Sequence, residues 1–224
     1  CAELGAPDGW KDVQVDERTY KDEWGVVRTM PPGSYYYDVT GYPLAEDGTL
    51  SAIANYQWPA PLDPGRYRGL RERARFLHEE TDFAVVINLN SSFFLRCCEL
   101  RGWENFFMDM VANTEFAEAL MDKFLDIRLA MAERALEEAG EYIDMIMVTS
   151  DDVGMIDRPI VSPALYRKLV KPRQKKTFDF FRARSEAKLF YHTDGAIYSL
   201  LPDFVELGVD VLNPIQVSAT GMAD

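Results

Sequence analysis

Two histidines occur in the chain, and one of them, His192, is followed two residues later by Asp194, where the apolar run KLFY stops and Gly195 begins. Strand side chains alternate with a period of two, so this imidazole and carboxylate can point the same way. Side by side they suit either a zinc ion or an acid–base pair. Zinc would want at least one more protein ligand and an open position for a substrate. The plainer alternative is that Asp194 caps the next helix and His192 is a hydrogen-bonded rim residue. Three other clusters share this placement: Asn88 and Asn90 after FAVVI, Ser150, Asp151 and Asp152 after MIMVT, and Asn213 with Gln216 after VDVL. Asp151, Asp152, His192 and Asp194 are the candidate catalytic residues. Asn88, Asn90, Ser150, Asn213 and Gln216 are the candidate substrate-binding residues, and His192 with Asp194 is the candidate metal pair. Aspartate is also common in tight turns, so capping competes with chemistry at Asp151-Asp152.

What must position these groups is a set of strands ending together. FAVVINL, YIDMIMVT, KLFYH and VDVLNPI are short apolar runs of the kind buried on both faces of a parallel sheet. Helical patterns alternate with them. Leu70–Glu80 is predicted as a short helix, and Phe94 to Met110 as one helical segment. A long helix should run from an N-cap at Thr114 to Glu138, with Phe116, Leu120, Phe124, Ile127 and Met131 as its apolar stripe and Gly140 as its stop. Ser162-Pro163 opens another helix that Pro172 should kink or divide, and Ile197–Leu207 is one more. Strands alternating with helices mean βαβ units, whose C-terminal strand ends meet on one face where sites are built. Before residue 65, TYKDEWGVVRTM and GSYYYDVTGYPL are predicted as two strands of a hairpin around PPG. The expected organisation is an N-terminal segment, residues 1–65, packed on βα units spanning 66–224.

Composition narrows the field. With 224 residues, 47% of them hydrophobic, the chain can bury one core. A net charge of −13 with no basic stripe argues against nucleic acid as a partner. No apolar run approaches the ~18 residues of a membrane span. No signal peptide is visible at the start, which also lacks Met, so upstream sequence is expected to be missing. Cys1, Cys97 and Cys98 make a poor disulfide framework and fit a reducing, cytoplasmic setting. Cys97 and Cys98 are expected as small buried helix residues, and His78 as surface.

Three segments together resemble the uroporphyrinogen decarboxylase superfamily, which includes zinc-dependent methylcobamide:thiol methyltransferases. They are TSDDVGMIDRPIVSPALYRKLVKPRQKKTFDFF with KLFYHTDGAIYSLLPDFVELGVDVLNPIQVSATGMAD, FLRCCELRGWENFFMDM, and DEWGVVRTM…YYYDVTGYPL. The resemblance implies a (β/α)8 TIM barrel. A complete one needs ~250 residues, and four strand candidates are visible here, so a partial or truncated barrel with an N-terminal β-hairpin extension is expected. The methyltransferase branch implies zinc on an H-x-C pair. His192 matches the first ligand, Asp194 stands in place of the cysteine, and the later cysteine would lie beyond residue 224. It also implies a corrinoid methyl donor, a corrinoid protein as possible partner, and a thiol acceptor; a homo-oligomer is possible. The decarboxylase branch implies porphyrinogen decarboxylation with cationic clamps, for which Arg96, Arg101 and Arg158 are the nearest candidates; the Arg-rich N-terminal motif of that branch has no match here. A ligand-binding barrel without catalysis is the third expectation. The neutral-to-acidic rim favours the methyltransferase side, since a polycarboxylate calls for a basic cleft.

Overall fold

A computed structural model describes residues 2–89 and 91–223. In chain order, β1 (Ala2–Glu3), β2 (Val13–Asp16), β3 (Thr19–Lys21), β4 (Val27–Thr29) and β5 (Asp38–Gly41) precede the first helix, α1 (Leu50–Asn55). Next come α2 (Leu70–Glu80), β6 (Val86–Asn88), α3 (Phe94–Arg101), α4 (Trp103–Ala112) and α5 (Thr114–Ala139). The remainder holds β7 (Met145–Thr149), α6 (Pro163–Leu165), α7 (Lys171–Arg182), β8 (Lys188–His192), α8 (Leu201–Leu207) and β9 (Val211–Asn213). The chain divides into two compact units. The first comprises the segment ending at Gly5, Tyr67–Ser92 and everything from Leu125; the second comprises Ala6–Arg66 and Phe93–Phe124.

The first unit is built on a parallel sheet in the order β1-β6-β7-β8-β9. Ile87, Ile146 and Leu189 lie in register across three of its strands, and all are fully buried. Removing each from water is worth about 1.5–3 kcal/mol, which is why these short strands stay paired. Tyr191 continues this face, with the rings of Phe178 on α7 and Phe204 on α8 at 6.1 and 5.0 Å. On the opposite face Asn88, Met147 and Phe190 align and are half-buried. The predicted α/β class with a parallel sheet holds and is consistent with a TIM barrel, but the sheet is open rather than closed. A fifth strand, β1, pairs in parallel with β6, although the only strands expected before residue 65 are those of the hairpin. Two residues are too few to show an apolar run.

Helix boundaries follow the expected chemistry with instructive departures. Ser162 Oγ accepts the Leu165 N–H and Pro163 takes the first helical turn, as predicted. Pro172 divides the helix as expected: the preceding turn, Tyr166–Val170, widens into a π-helix, and Pro172 sits in the first turn of α7. Ile197–Leu207 is a 3₁₀ turn, Tyr198–Leu200, running into α8.

The second unit carries the antiparallel sheet β2-β3-β4-β5. The expected hairpin is therefore four strands: TYK and VRT pair across the DEWGV turn, and DVTG and VQVD flank them. Arg28 on β4 reaches Asp22 at 3.1 Å and Glu99 on α3 at 2.8 Å, and Trp24 lies against Phe124 at 4.5 Å. The segment predicted as one helix from Phe94 is two, α3 and α4, because Gly102 sits at φ 89° between them, where only glycine is unstrained. Cys97 and Cys98 are fully buried in α3, as expected.

Candidate functional site

Asp152, His192, Asp194, Asn213 and Gln216 come from the ends of β7, β8 and β9. His192 is the last residue of β8 and pairs in register with Asn213, the last of β9. Asn213 Oδ1 lies 2.9 Å from His192 Nδ1. An amide oxygen can only accept, so Nδ1 is the donor of this bond and, in the neutral ring, Nε2 carries the lone pair. That nitrogen is 3.8 Å from Asp194 Oδ2. A third group completes the cluster: Asp152, in the loop after β7, whose Oδ1 accepts the Asp194 backbone N–H at 3.0 Å. One donor atom from each of Asp152, His192 and Asp194 lies within 4.8 Å of the others.

Burial lifts the Asp152 carboxyl above its ordinary value, and the Asp194 charge adds to the rise, against the opposing effects of the Asp194 N–H and of His192. Among the described residues no lysine or arginine is ion-paired with Asp152 or Asp194. Two half-buried carboxylates with no cation of their own are an electrostatic deficit that a bound positive ion would relieve. Two ligands bound ~2.1 Å from one ion at tetrahedral angles stand about 3.4 Å apart, so donors as much as 4.8 Å apart would close by up to about 1.4 Å. The donor set is an imidazole and two carboxylates, without thiolate. It fits a divalent ion of harder preference better than a sulfur-rich zinc site.

The two loops are joined backbone to backbone. Gly195, at φ 93°, donates its N–H to Gln216 Oε1 at 2.8 Å, and Ala196 N–H reaches Met155 C=O at 2.7 Å. A Cβ on Gly154 would lie 2.4 Å from Asp194 O, and one on Gly195 would lie 2.4 Å from Gly154 C. Thr193 Oγ1 accepts the Val153 N–H at 3.0 Å. These glycines let two chains approach closely enough for Asp152 and Asp194 to share a site.

The other sequence candidates fall as follows. Ser150 donates its backbone N–H to Ser92 Oγ at 2.8 Å. Asp151 is fully buried and stands outside the donor cluster. Asn88 Oδ1 is buried without a hydrogen-bond partner among the described residues, and Asn90 lies outside them. Gln216 serves Gly195, and Asn213 orients His192. Of the cationic candidates, Arg96 is paired with Glu99, Arg101 with Asp109 at 2.7 Å, and Arg158 with Asp157 at 3.1 Å. His78 is exposed on α2. Sequence reasoning named Asp152 but did not join it to His192 and Asp194 as the third ligand. The signal was present in the glycines of DDVG and TDG, which mark both loops for close approach.

The family model for uroporphyrinogen decarboxylase matches residues 37–214. A solved structure of a methyltransferase from Methanosarcina mazei shares the fold, with a TM-score of 0.63 and 21% identity over 85% of this chain. The chain spans 52% of that protein, about half its length. No curated protein sequence matches. Among the described residues no helix is long and apolar enough to cross a membrane.

Proposed function

The chain belongs to the uroporphyrinogen decarboxylase family, and from that premise we propose that it serves methyl transfer, from a corrinoid or comparable donor to a thiol-type acceptor, with a divalent ion at Asp152, His192 and Asp194. The observation that carries this reading is the trio itself: three donor atoms within 4.8 Å on one rim, with His192 Nδ1 engaged by Asn213 and Nε2 facing Asp194 at 3.8 Å. Likeness in fold to a methyltransferase supports it. A bound ion would act as a Lewis acid that lowers the acceptor's pKa. The chain's own part is positioning. Asn213 holds the His192 tautomer, the Asp194 N–H holds the Asp152 carboxylate, and the Gly154–Gly195 contact holds the two loops together. A corrinoid-carrying protein is the partner this chemistry calls for. Decarboxylation of a polyacid is less well supported, because Arg96, Arg101 and Arg158 are each committed to a carboxylate.

The test uses the purified protein. It is reconstituted with Zn²⁺, Co²⁺ or Mn²⁺, dialysed and analysed for metal, then incubated with methylcobalamin and a panel of thiols. About one ion per chain is expected, lost in His192→Ala, with demethylation of the corrinoid visible in its absorbance. No retained metal together with no demethylation would remove the proposal. Release of CO₂ from a carboxylated porphyrinogen would replace it with the decarboxylase reading.

A further inference from the structure

A buried chain of hydrogen bonds runs beneath the β7 loop on the face opposite His192. Tyr191 precedes His192 on β8, so the two side chains leave opposite faces of the sheet. The Tyr191 hydroxyl lies 3.2 Å from the Asp151 backbone oxygen, Gln174 Nε2 lies 2.6 Å from Tyr191 Oη, and Tyr166 Oη lies 2.5 Å from Gln174 Oε1. Tyr166, Gln174, Tyr191 and Asp151 are all 1% exposed or less.

The direction of this chain is fixed from its end. A carbonyl cannot donate, so Tyr191 O–H must donate to Asp151, its oxygen must accept from the Gln174 amide, and Gln174 Oε1 must accept from Tyr166 O–H. Burial raises both phenols, Tyr191 well above its ordinary value, so they stay protonated donors. The π-helical turn makes the alignment possible. Tyr166 and Gln174 are eight residues apart, which in an unbroken α-helix places them ~80° off a common face. The N–H of Lys171 bonds to Tyr166 C=O, one residue further back than in an α-helix. That extra residue takes back ~100° and brings Gln174 in line beneath Tyr166.

We propose that Tyr166, Gln174 and Tyr191 are positioning residues that hold the Asp151–Asp152 peptide, and through it the Asp152 carboxylate opposite His192 and Asp194. β8 thereby contributes a donor on one face and the anchor of the neighbouring loop on the other. The consequence for a bound ion rests on the function proposed above; the anchoring itself does not.

The experiment has two arms on Tyr191→Phe and Tyr166→Phe. In the metal-free protein, hydrogen exchange is followed by NMR at the Val153 and Asp194 amides, which bond to Thr193 Oγ1 and Asp152 Oδ1. The Ile146 and Leu189 amides in the sheet are the reference. We expect roughly tenfold faster exchange at the two loop amides in Tyr191→Phe, a smaller rise in Tyr166→Phe, and no change at the reference. Tyr166→Phe leaves the Tyr191–Asp151 bond in place, so it carries the test should Tyr191→Phe fail to fold. Unchanged loop exchange, or equal acceleration everywhere, would overturn the proposal. In the second arm, Co²⁺ titration should show a changed visible spectrum and about tenfold weaker binding in Tyr191→Phe; an identical spectrum and affinity would sever the anchor from the site. A wild-type protein that takes up no Co²⁺ would defeat the ion reading, while the exchange arm still decides the anchor.

Discussion

Replacing Gly195 by alanine tests the close approach of the two site loops. Two separable penalties meet at this residue. The backbone sits at φ 93°, a left-handed conformation that costs a residue with a Cβ about 1–2 kcal/mol. The added Cβ would also lie 2.4 Å from Gly154 C and 2.6 Å from Met155 O, and backbone atoms cannot rotate aside. Forced overpacking of this kind costs about 1–3 kcal/mol, so Gly195→Ala should lose roughly 2–5 kcal/mol in all. Two companions in the same unit isolate the parts. Gly69→Ala carries the conformational penalty alone, since φ is 74° and nothing lies within 4 Å of its Cβ. Gly154→Ala carries contact alone, at 2.4 Å from Asp194 O. Thermal unfolding by circular dichroism should show a fall on the order of 10 °C for Gly195→Ala, clearly more than for Gly69→Ala, at ~2–4 °C per kcal/mol for a chain of this size. Divalent-ion affinity should fall at least tenfold in Gly195→Ala and Gly154→Ala and hold in Gly69→Ala. If Gly195→Ala unfolds no earlier than Gly69→Ala, the backbone contact claimed between the loops does not exist.

Two further outcomes follow from the charges. The Asp152 carboxyl is raised by burial and by Asp194. Its share of stability is therefore complete below the unfolded carboxylate value near 4 and declines as pH climbs through the higher folded value. Asp152→Asn should accordingly melt a few degrees higher than the metal-free wild type at pH 7, match it near pH 4, and bind no divalent ion; a lower melting point at pH 7 would contradict the burial cost. Glu99 shows the opposite sign: burial pushes its carboxyl up, but Arg96 and Arg28 outweigh that and hold it below its ordinary value. Its contribution is present above the unfolded carboxylate value and disappears as pH falls through the lower folded one. Glu99→Gln should cost about 1–3 kcal/mol in urea unfolding at pH 7 and progressively less as pH falls below the unfolded carboxylate value, and a gap that does not shrink in acid would refute the pairing.

How much of this was legible in the sequence depended on whether the signal was local. Ile87, Ile146 and Leu189 lie in apolar runs long enough to announce buried parallel strands, and Ser162-Pro163 announced its helix by capping chemistry alone. The gathering of Asp152, His192, Asp194, Asn213 and Gln216 on one rim followed from those strands being parallel. What stayed hidden was pairing at a distance. Ala2–Glu3 forms a strand only because β6 offers an edge for it, and no two-residue pattern can signal that. Asp152 looked as much like a turn residue as a ligand until the glycines placed it against Asp194. The π turn depends on Tyr166 and Gln174 meeting Tyr191, a tertiary demand with no signature beyond the presence of Pro172.

The parallel run of β7 and β8 has a consequence for how the site comes into being. Asp152 and Asp194 are 42 residues apart in the chain, and parallel neighbours join only through a crossover that returns over the sheet. A nascent chain halted before β8 owns a single donor of the three, and a cut between α6 and α7 parts Asp152 from His192 and Asp194. The proposed ion capture therefore belongs to a late event, the closing of one crossover, and a coloured ion such as Co²⁺ would report when that closing has occurred.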